Sequence, residues 1–136
     1  MGATFEGVYV GATNLLFDSG WLDELDLQRL YQVTGQYFQP LIDRFQAIGD
    51  EECIDKFSAR VVVGFARGLA LDFAGIIMRA DCGQLWAAYI DGDDVRYFTT
   101  ELEYERRLPA TIERWRANAK NREVLTTNDV RCIPRF

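Results

Sequence analysis

The sequence predicts an α+β fold: an N-terminal helix or helix pair packed on an antiparallel β-meander of about four strands, then a C-terminal helix and a candidate edge strand. In the first third of the chain, apolar residues recur at three- and four-residue steps, which is typical of an amphipathic helix. In the second half, β-branched and aromatic residues gather in short runs between turn residues. Helices and antiparallel strands are therefore segregated along the chain. We expect residues 1–136 to form a single globular domain.

The helical pattern follows "FDSG" and ends at Gly49. Its apolar stripe consists of Leu27, Leu30, Tyr31, Thr34, Phe38, Leu41, Ile42, Phe45 and Ile48. Asp18 or Ser19 is placed to cap the start. Pro40 lacks a backbone N–H, so a kink or split is predicted near Gln39. Upstream of this helix, "TFEGVYVGA" predicts a short strand.

The middle stretch, "DKFSARVVVGFARGLALDFAGIIMRA", fits two patterns. Alternating apolar residues predict two strands that turn near residues 66–68. A helical stripe over residues 57–78 fits as well, so the choice between a strand pair and a helix remains open. Three consecutive valines and several glycines favour the strands, because both residue types disfavour a long helix.

A hairpin is predicted where "QLWAAYI" and "VRYFTT" flank "DGDD". The predicted cross-strand pairs are Ile90 with Val95, Ala88 with Tyr97, Trp86 with Thr99, Tyr89 with Arg96 and Ala87 with Phe98. A calcium loop at "DGDD" would need a glutamate at its twelfth position, and counting from Asp91 gives Leu102. The aspartates therefore predict a turn rather than a metal site.

The C-terminal part begins with "LPATIERWRANAK", which predicts a helix with Pro109 at its first position. "EVLTT" is a candidate closing strand, and "RCIPRF" a tail. "DCG", residues 81–83, predicts the turn that precedes the Trp86 strand.

Several kinds of chemistry are excluded by composition. The sequence has no histidine, which rules out Ser–His and Cys–His dyads, an imidazole base and histidine-containing zinc sites. It also lacks a phosphate-binding glycine loop, so we predict no cofactor and no metal. Cys53, Cys82 and Cys132 are widely spaced and are expected to be reduced thiols. A Cys82–Cys132 or Cys53–Cys82 disulfide remains open if the protein is exported.

The charge is −6 overall and uneven: residues 1–94 carry −9 and residues 95–136 carry +3. An acidic body repels phosphate backbones, which disfavours nucleic acid, and it attracts a basic protein. No apolar run approaches the length of about 18 residues that spans a bilayer, and the N-terminus does not have the pattern of a secretory signal. We therefore expect a cytoplasmic protein that does not enter a membrane.

The candidate contact residues lie on and after the hairpin, because its two faces cannot both enter one core. The predicted protein-binding set is Tyr89, Asp91, Asp93, Asp94, Arg96 and Tyr104. Tyrosine and arginine are enriched at protein interfaces, and the aspartates add negative charge. The alternative is that the N-terminal helices cover the face with Tyr89 and Arg96.

Asp72 is a separate candidate, since it lies in an apolar stretch where burial would raise its pKa and let it act as an acid. The alternative is an outward strand position, paired with Arg60 or Arg67.

Three functions fit these observations. The leading hypothesis is a non-enzymatic binding module for a basic protein, because a small, acidic, histidine-free and aromatic-rich α+β chain is similar in type to bacterial immunity and inhibitor proteins. The second is a small-molecule pocket protein or a carboxylate-dependent enzyme that uses Asp72. The third is a structural subunit of a homo-oligomer. A monomer and a homodimer are both compatible with the sequence.

Overall fold

The computed structural model describes residues 12–65, 73–118 and 123–126. In the first range, helix α1 spans Ala12–Asp18, α2 spans Glu24–Thr34 and α3 spans Phe38–Ile42, with a 3₁₀ turn at Gly35–Tyr37. The strands are β1 at Ala47–Glu51, β2 at Ala59–Phe65, β3 at Ala74–Ala80, β4 at Leu85–Asp91 and β5 at Asp94–Thr99. Further 3₁₀ turns lie at Asp81–Gly83 and Leu102–Tyr104, helix α4 spans Ala110–Asn118, and β6 spans Glu123–Thr126.

These strands form one sheet in which they lie in chain order. Strands β1 to β5 pair antiparallel with their neighbours, and β6 pairs parallel with β5. The fold is α+β with helices before and after the meander, as predicted. The meander has one strand more than expected, because β1 was not predicted.

The β4–β5 hairpin has the predicted register. Ile90 pairs with Val95, Ala88 with Tyr97, Trp86 with Thr99, Tyr89 with Arg96, and Ala87 with Phe98. Asp91 also pairs with Asp94, which leaves Gly92 and Asp93 as the turn. Gly92 adopts a φ of 66°, a conformation that glycine reaches without strain. The interpretation of "DGDD" as a turn is confirmed.

Two strands, not a helix, occupy the described part of the ambiguous stretch. β2 and β3 pair along their whole length, from Ala59 with Ala80 to Phe65 with Ala74. The strand prediction is confirmed there, and the helical alternative is wrong. The predicted turn at residues 66–68 lies outside the described residues.

Strand β1 is a correction to the sequence prediction, which continued a helix through Ile48. The helical segment ends at Ile42, and Ala47–Glu51 pairs with β2 from Ala47 opposite Phe65 to Glu51 opposite Val61. A strand of this composition gains its stability from cross-strand neighbours rather than from local preference. Exposed acidic residues on such an edge also oppose edge-to-edge aggregation.

The start of α2 is a second correction. Asp18 is the last residue of α1, and the Ser19 hydroxyl donates to the Leu16 carbonyl at 3.2 Å, so neither caps α2. Asp23 does so: its carboxylate accepts from the Asp26 N–H at 2.8 Å, while the Asp26 carboxylate accepts from the Asp23 N–H at 3.1 Å. This reciprocal pair is a capping box built from two aspartates.

The break between α2 and α3 falls at Gly35, whose φ is 55°, and not near Gln39 as predicted. Pro40 is the third residue of α3. An N–H in the first helical turn has no intrahelical acceptor, so a proline there removes no hydrogen bond. The missing N–H of Pro40 therefore does not interrupt this helix.

Both faces of the sheet are covered, which gives three layers. The helical face packs against α1, α2 and α3; its buried residues include Leu27, Leu30, Phe38, Leu41, Phe45, Val62, Ile77, Ala87, Tyr89 and Phe98. The opposite face packs against α4 and the segments around it; its buried residues include Val61, Ile76, Met78, Trp86, Ala88, Ile90, Val95, Tyr97 and Ile112.

Two glycines let the helical layer approach the sheet. Gly64 and Gly75 are direct cross-strand partners on β2 and β3. A β-carbon at Gly64 would overlap the Phe45 ring, and one at Gly75 would lie 2.8 Å from Phe45 Cε1. The aromatic ring therefore occupies the space that two side chains would otherwise fill.

Helix α4 is capped by a residue far away in the sequence. The Asp55 carboxylate accepts hydrogen bonds from the Ala110 N–H at 2.7 Å, the Thr111 N–H at 2.9 Å and the Thr111 hydroxyl at 2.6 Å. Pro109, predicted as the first helical residue, directly precedes the helix, and its carbonyl accepts from the Glu113 N–H at 2.9 Å. The segment after β1 is thereby fixed over the face opposite α1–α3.

Cys53 is half-buried and Cys82 is exposed, and both are free thiols, so no Cys53–Cys82 disulfide forms. Within the described ranges, no helix has the length and apolar character needed to cross a membrane. Besides the turn at residues 66–68, four further predictions lie outside the described residues: a strand upstream of α1, the Asp72 carboxylate, a disulfide to Cys132 and the "RCIPRF" tail.

Candidate functional site

The predicted contact residues are not brought together by the fold. Tyr89 belongs to the helix-covered face, whereas Tyr104 packs against the opposite face. Tyr89 lies near the turn of the β4–β5 hairpin, and Tyr104 follows the far end of β5. A seven-residue strand such as β4 is about 20 Å long, so the set divides into two regions at opposite ends of the sheet.

Tyr89, selected as a candidate contact residue, is only 2% exposed, so the structure takes the alternative in which the N-terminal helices cover its face. The Tyr89 ring stacks on the Phe98 ring with centroids 6.3 Å apart, and the Arg44 guanidinium carbon lies 4.5 Å from the Tyr89 ring centroid. This burial raises the pKa of the Tyr89 hydroxyl to about 12. Tyr89 therefore stabilises the core of this layer.

Arg96 and Asp91 form an ion pair beside it, with Arg96 Nε 2.8 Å from Asp91 Oδ2. The Arg96 guanidinium carbon also lies 4.5 Å from the Tyr37 ring centroid. The hydrogen bond to Asp91 raises the pKa of Arg96. Asp93 is exposed and Asp94 is half-buried at the hairpin turn. In the described ranges, no group of three or more Cys, Asp or Glu residues could hold a metal ion.

Arg44 was not predicted from the sequence to have a particular role, yet its side chain joins two layers of the fold. Its Nη1 and Nη2 donate to the carbonyls of Pro40 and Ile90, each at 2.8 Å. Its guanidinium carbon lies 4.1 Å from the Phe73 ring centroid, so it is placed against two aromatic rings. Burial lowers the pKa of Arg44. This cluster connects α3 to the hairpin and is structural.

The opposite face carries a groove of about 370 Å³. Seven residues from three separate segments line it: Lys56, Phe57, Gln84, Trp86, Glu101, Glu103 and Tyr104. We refer to this site as the aromatic groove. Of the predicted set, only Tyr104 belongs to it.

Three rings form the apolar part of the aromatic groove. Phe57 stacks on Trp86 with centroids 4.5 Å apart and an interplanar angle of 11°. Tyr104 packs edge-on against both rings, and its ring centroid lies 5.7 Å from that of Phe57 and 6.0 Å from that of Trp86. Edge-to-face and stacked ring contacts of this kind stabilise the fold beyond what the burial of apolar area alone contributes. The rings therefore form a preorganised unit.

The sheet fixes the position of Tyr104. The hydroxyl of buried Tyr97 on β5 donates to the Tyr104 carbonyl at 2.8 Å and lies 3.3 Å from the Arg107 carbonyl. Burial raises the pKa of Tyr97, which favours the protonated hydroxyl that donates these contacts. The 3₁₀ turn that carries Tyr104 is thus attached directly to the core.

Two carboxylates complete the groove. Glu101 accepts hydrogen bonds from the Thr100 hydroxyl at 2.6 Å and from Gln84 Nε2 at 3.1 Å, which orients its side chain. Glu103 projects into solvent and lies 3.7 Å from Arg107. Trp86 is 2% exposed, and its indole Nε1 has no hydrogen-bond partner within the described part of the chain.

Aromatic rings and carboxylates are the two groups that attract organic cations most directly, through the ring quadrupole and through charge-assisted hydrogen bonds. The aromatic groove is therefore suited to bind a positively charged side chain. Its only described basic lining residue is Lys56, which is exposed.

Most residues of this groove were not predicted from the sequence. The aromatic clustering of Trp86 and Tyr104 was visible, and "ELEYE" at residues 101–105 places acids on alternate positions around Tyr104. The approach of Phe57 and Lys56 was not visible, because it depends on the path of the chain between β1 and β2.

Comparison of the chain with protein-family models, with curated proteins and with solved structures gave no match.

Proposed function

We propose that this protein is a non-enzymatic binding module that engages a basic protein partner, in the manner of an inhibitor or immunity-type protein. The observation that carries the proposal is the aromatic groove, where Tyr104 and the stacked Phe57–Trp86 pair lie beside Glu101 and Glu103. A lysine or arginine side chain of a partner matches both components of this site.

The charge of the chain supports the same function. The net charge is −6, and residues 1–94 alone carry −9. Long-range attraction of this sign accelerates association with a basic protein, while desolvated aromatic contacts supply affinity. Association is therefore expected to slow as salt rises, because salt screens the attraction. A cytoplasmic location fits this function and remains a prediction.

A small organic cation is the second candidate ligand. The groove volume of about 370 Å³ lies near the lower end of the range for small-molecule pockets, which is roughly 300–1,000 Å³. Binding of methylguanidine as tightly as a basic peptide would favour this candidate over a protein partner.

The test uses a dye-labelled hexa-arginine peptide and fluorescence anisotropy. A Glu101→Gln/Glu103→Gln variant removes two negative charges from the groove while keeping the side-chain shape. We expect its affinity to fall at least about tenfold, the scale of losing charge-assisted contacts. An Asp93→Asn/Asp94→Asn variant is the matched control, since it removes two charges at the hairpin turn instead.

The control variant is expected to lose less than about twofold, because both of its charges lie far from the groove and are screened by salt. Equal losses in both variants would show that the peptide responds only to net charge and would contradict a groove site. A loss confined to the Asp93/Asp94 variant would move the site to the hairpin turn. The natural partner can then be sought among lysate proteins that the wild type retains and the Glu101/Glu103 variant does not.

A further inference from the structure

Two residues that line the aromatic groove, Glu103 and Tyr104, already contact one guanidinium from the chain itself. The Arg107 guanidinium carbon lies 4.4 Å from the Tyr104 ring centroid. Its Nη2 lies 3.7 Å from Glu103 Oε2, and its Nε donates to the Glu103 carbonyl at 3.2 Å. Since Tyr104 and Glu103 both line the groove, Arg107 makes the contacts that an incoming cation would need.

Arg96 makes the same combination of contacts at the other end of the sheet, and there it is held firmly. Its guanidinium carbon lies 4.5 Å from the Tyr37 ring centroid, and its Nε lies 2.8 Å from Asp91 Oδ2. The Arg96 side chain is 25% exposed, whereas that of Arg107 is 64% exposed. A long ion pair in solvent contributes little, so Arg107 is weakly held and easily displaced.

Guanidinium is the cation class that this site fits. A guanidinium is planar, stacks on aromatic faces and donates forked hydrogen bonds to carboxylates, whereas an ammonium is a compact and strongly hydrated charge. Lys56 also lines the groove, whereas the guanidinium groups of Arg44, Arg60, Arg96 and Arg107 each lie against an aromatic ring of this fold.

We propose that the aromatic groove selects guanidinium groups and that Arg107 is an intramolecular placeholder, which an arginine of the basic partner displaces from Tyr104 and Glu103. This inference rests on the proposed function and names the side chain that the groove recognises. Removing the positive charge of Arg107 should therefore strengthen the binding of a positively charged ligand beyond the general electrostatic effect.

The experiment compares Arg107→Gln with Arg106→Gln, each titrated with labelled hexa-arginine and hexa-lysine. Arg106 is exposed and adjacent, so its variant makes the same change in net charge without touching the Tyr104 contact. We expect Arg107→Gln to bind hexa-arginine about three- to fivefold more tightly than Arg106→Gln, the fold-change for losing one exposed cation–ring competitor. Wild type should bind hexa-arginine at least about threefold more tightly than hexa-lysine, for the same reason.

Equal affinities of the two variants would overturn the placeholder, and equal affinities for the two peptides would overturn guanidinium selection. Failure of the proposed function has a different signature, because then neither peptide binds, or the Glu101→Gln/Glu103→Gln variant binds as wild type does. Circular dichroism and thermal melting of each variant confirm that the fold is retained before affinities are compared.

Discussion

Asp26 accepts a hydrogen bond from Arg79 Nε at 2.7 Å, and this ion pair joins the first turn of α2 to strand β3. The Asp26 side chain is 2% exposed and also accepts from the Asp23 N–H. It therefore serves as half of a capping box and as the buried anchor of a helix on the sheet.

Replacing Asp26 by alanine should reduce the free energy of unfolding by about 3 kcal/mol, because it removes one partner of a buried pair together with a capping interaction. Urea unfolding at neutral pH measures this. Glu24→Ala is the control, since Glu24 lies in the same helical turn but is exposed. It should change stability by less than about 0.5 kcal/mol, and an equally large loss there would assign the effect to the helix dipole instead.

The approach of Phe45 to the sheet predicts that Gly75→Ala destabilises the protein. The added carbon would lie 2.8 Å from the Phe45 ring and 3.2 Å from Arg44 Cβ, so the α3–β1 connection must shift. We expect a loss of about 1–3 kcal/mol, the usual cost of overpacking. Gly49→Ala on β1 is the control: its nearest neighbour is Val63 Cγ2 at 3.9 Å, an ordinary contact. The prediction fails if both variants melt at the wild-type temperature.

Burial of Tyr89 predicts a loss of stability in alkali. Its pKa is raised to about 12 in the folded state, against about 10 in the unfolded chain. Above pH 10 the unfolded state gives up this proton first, so stability is fully present below about pH 10 and falls as pH rises toward 12. Two pKa units correspond to about 2–3 kcal/mol.

In the Tyr89→Phe variant, this contribution to the loss of stability in alkali should disappear. Urea titrations between pH 8 and about pH 11 can measure the difference. Tyrosinate absorbance provides the independent check. A Tyr89→Phe profile parallel to that of wild type would mean that Tyr89 does not carry the effect.

Because Asp55 caps helix α4 and lies two residues before Phe57, we expect its replacement to affect both the helix cap and ligand binding in the groove. Asp55→Ala leaves the Ala110 and Thr111 N–H groups without their acceptor, which should cost about 1–2 kcal/mol. Phe57 follows two residues later and forms one wall of the aromatic groove, so hexa-arginine affinity should fall as well. Hydrogen exchange at residues 110–113 measures the cap directly. Faster hydrogen exchange with unchanged hexa-arginine affinity would show that the helix cap does not influence binding in the groove.

Local sequence determined the hairpin and its register. The side chains of Trp86 to Ile90 alternate between faces, and a Gly-containing turn follows, so the cross-strand pairs could be read from the chain. β2 and β3 were predictable for a similar reason, because consecutive valines favour strands. The stripe of apolar residues from Leu27 to Ile48 likewise predicted a helical layer, although not its break at Gly35 or its end at Ile42.

Only the tertiary structure decided β1, the burial of Tyr89 and the aromatic groove. β1 has the composition of a loop and becomes a strand because β2 offers it a complete set of backbone partners. A hairpin pattern shows that two faces exist but not which layer covers each, and here helices cover Tyr89. The groove requires Phe57, Trp86 and Tyr104 to meet from three distant segments, and such meetings depend on the packing of whole layers rather than on any local preference.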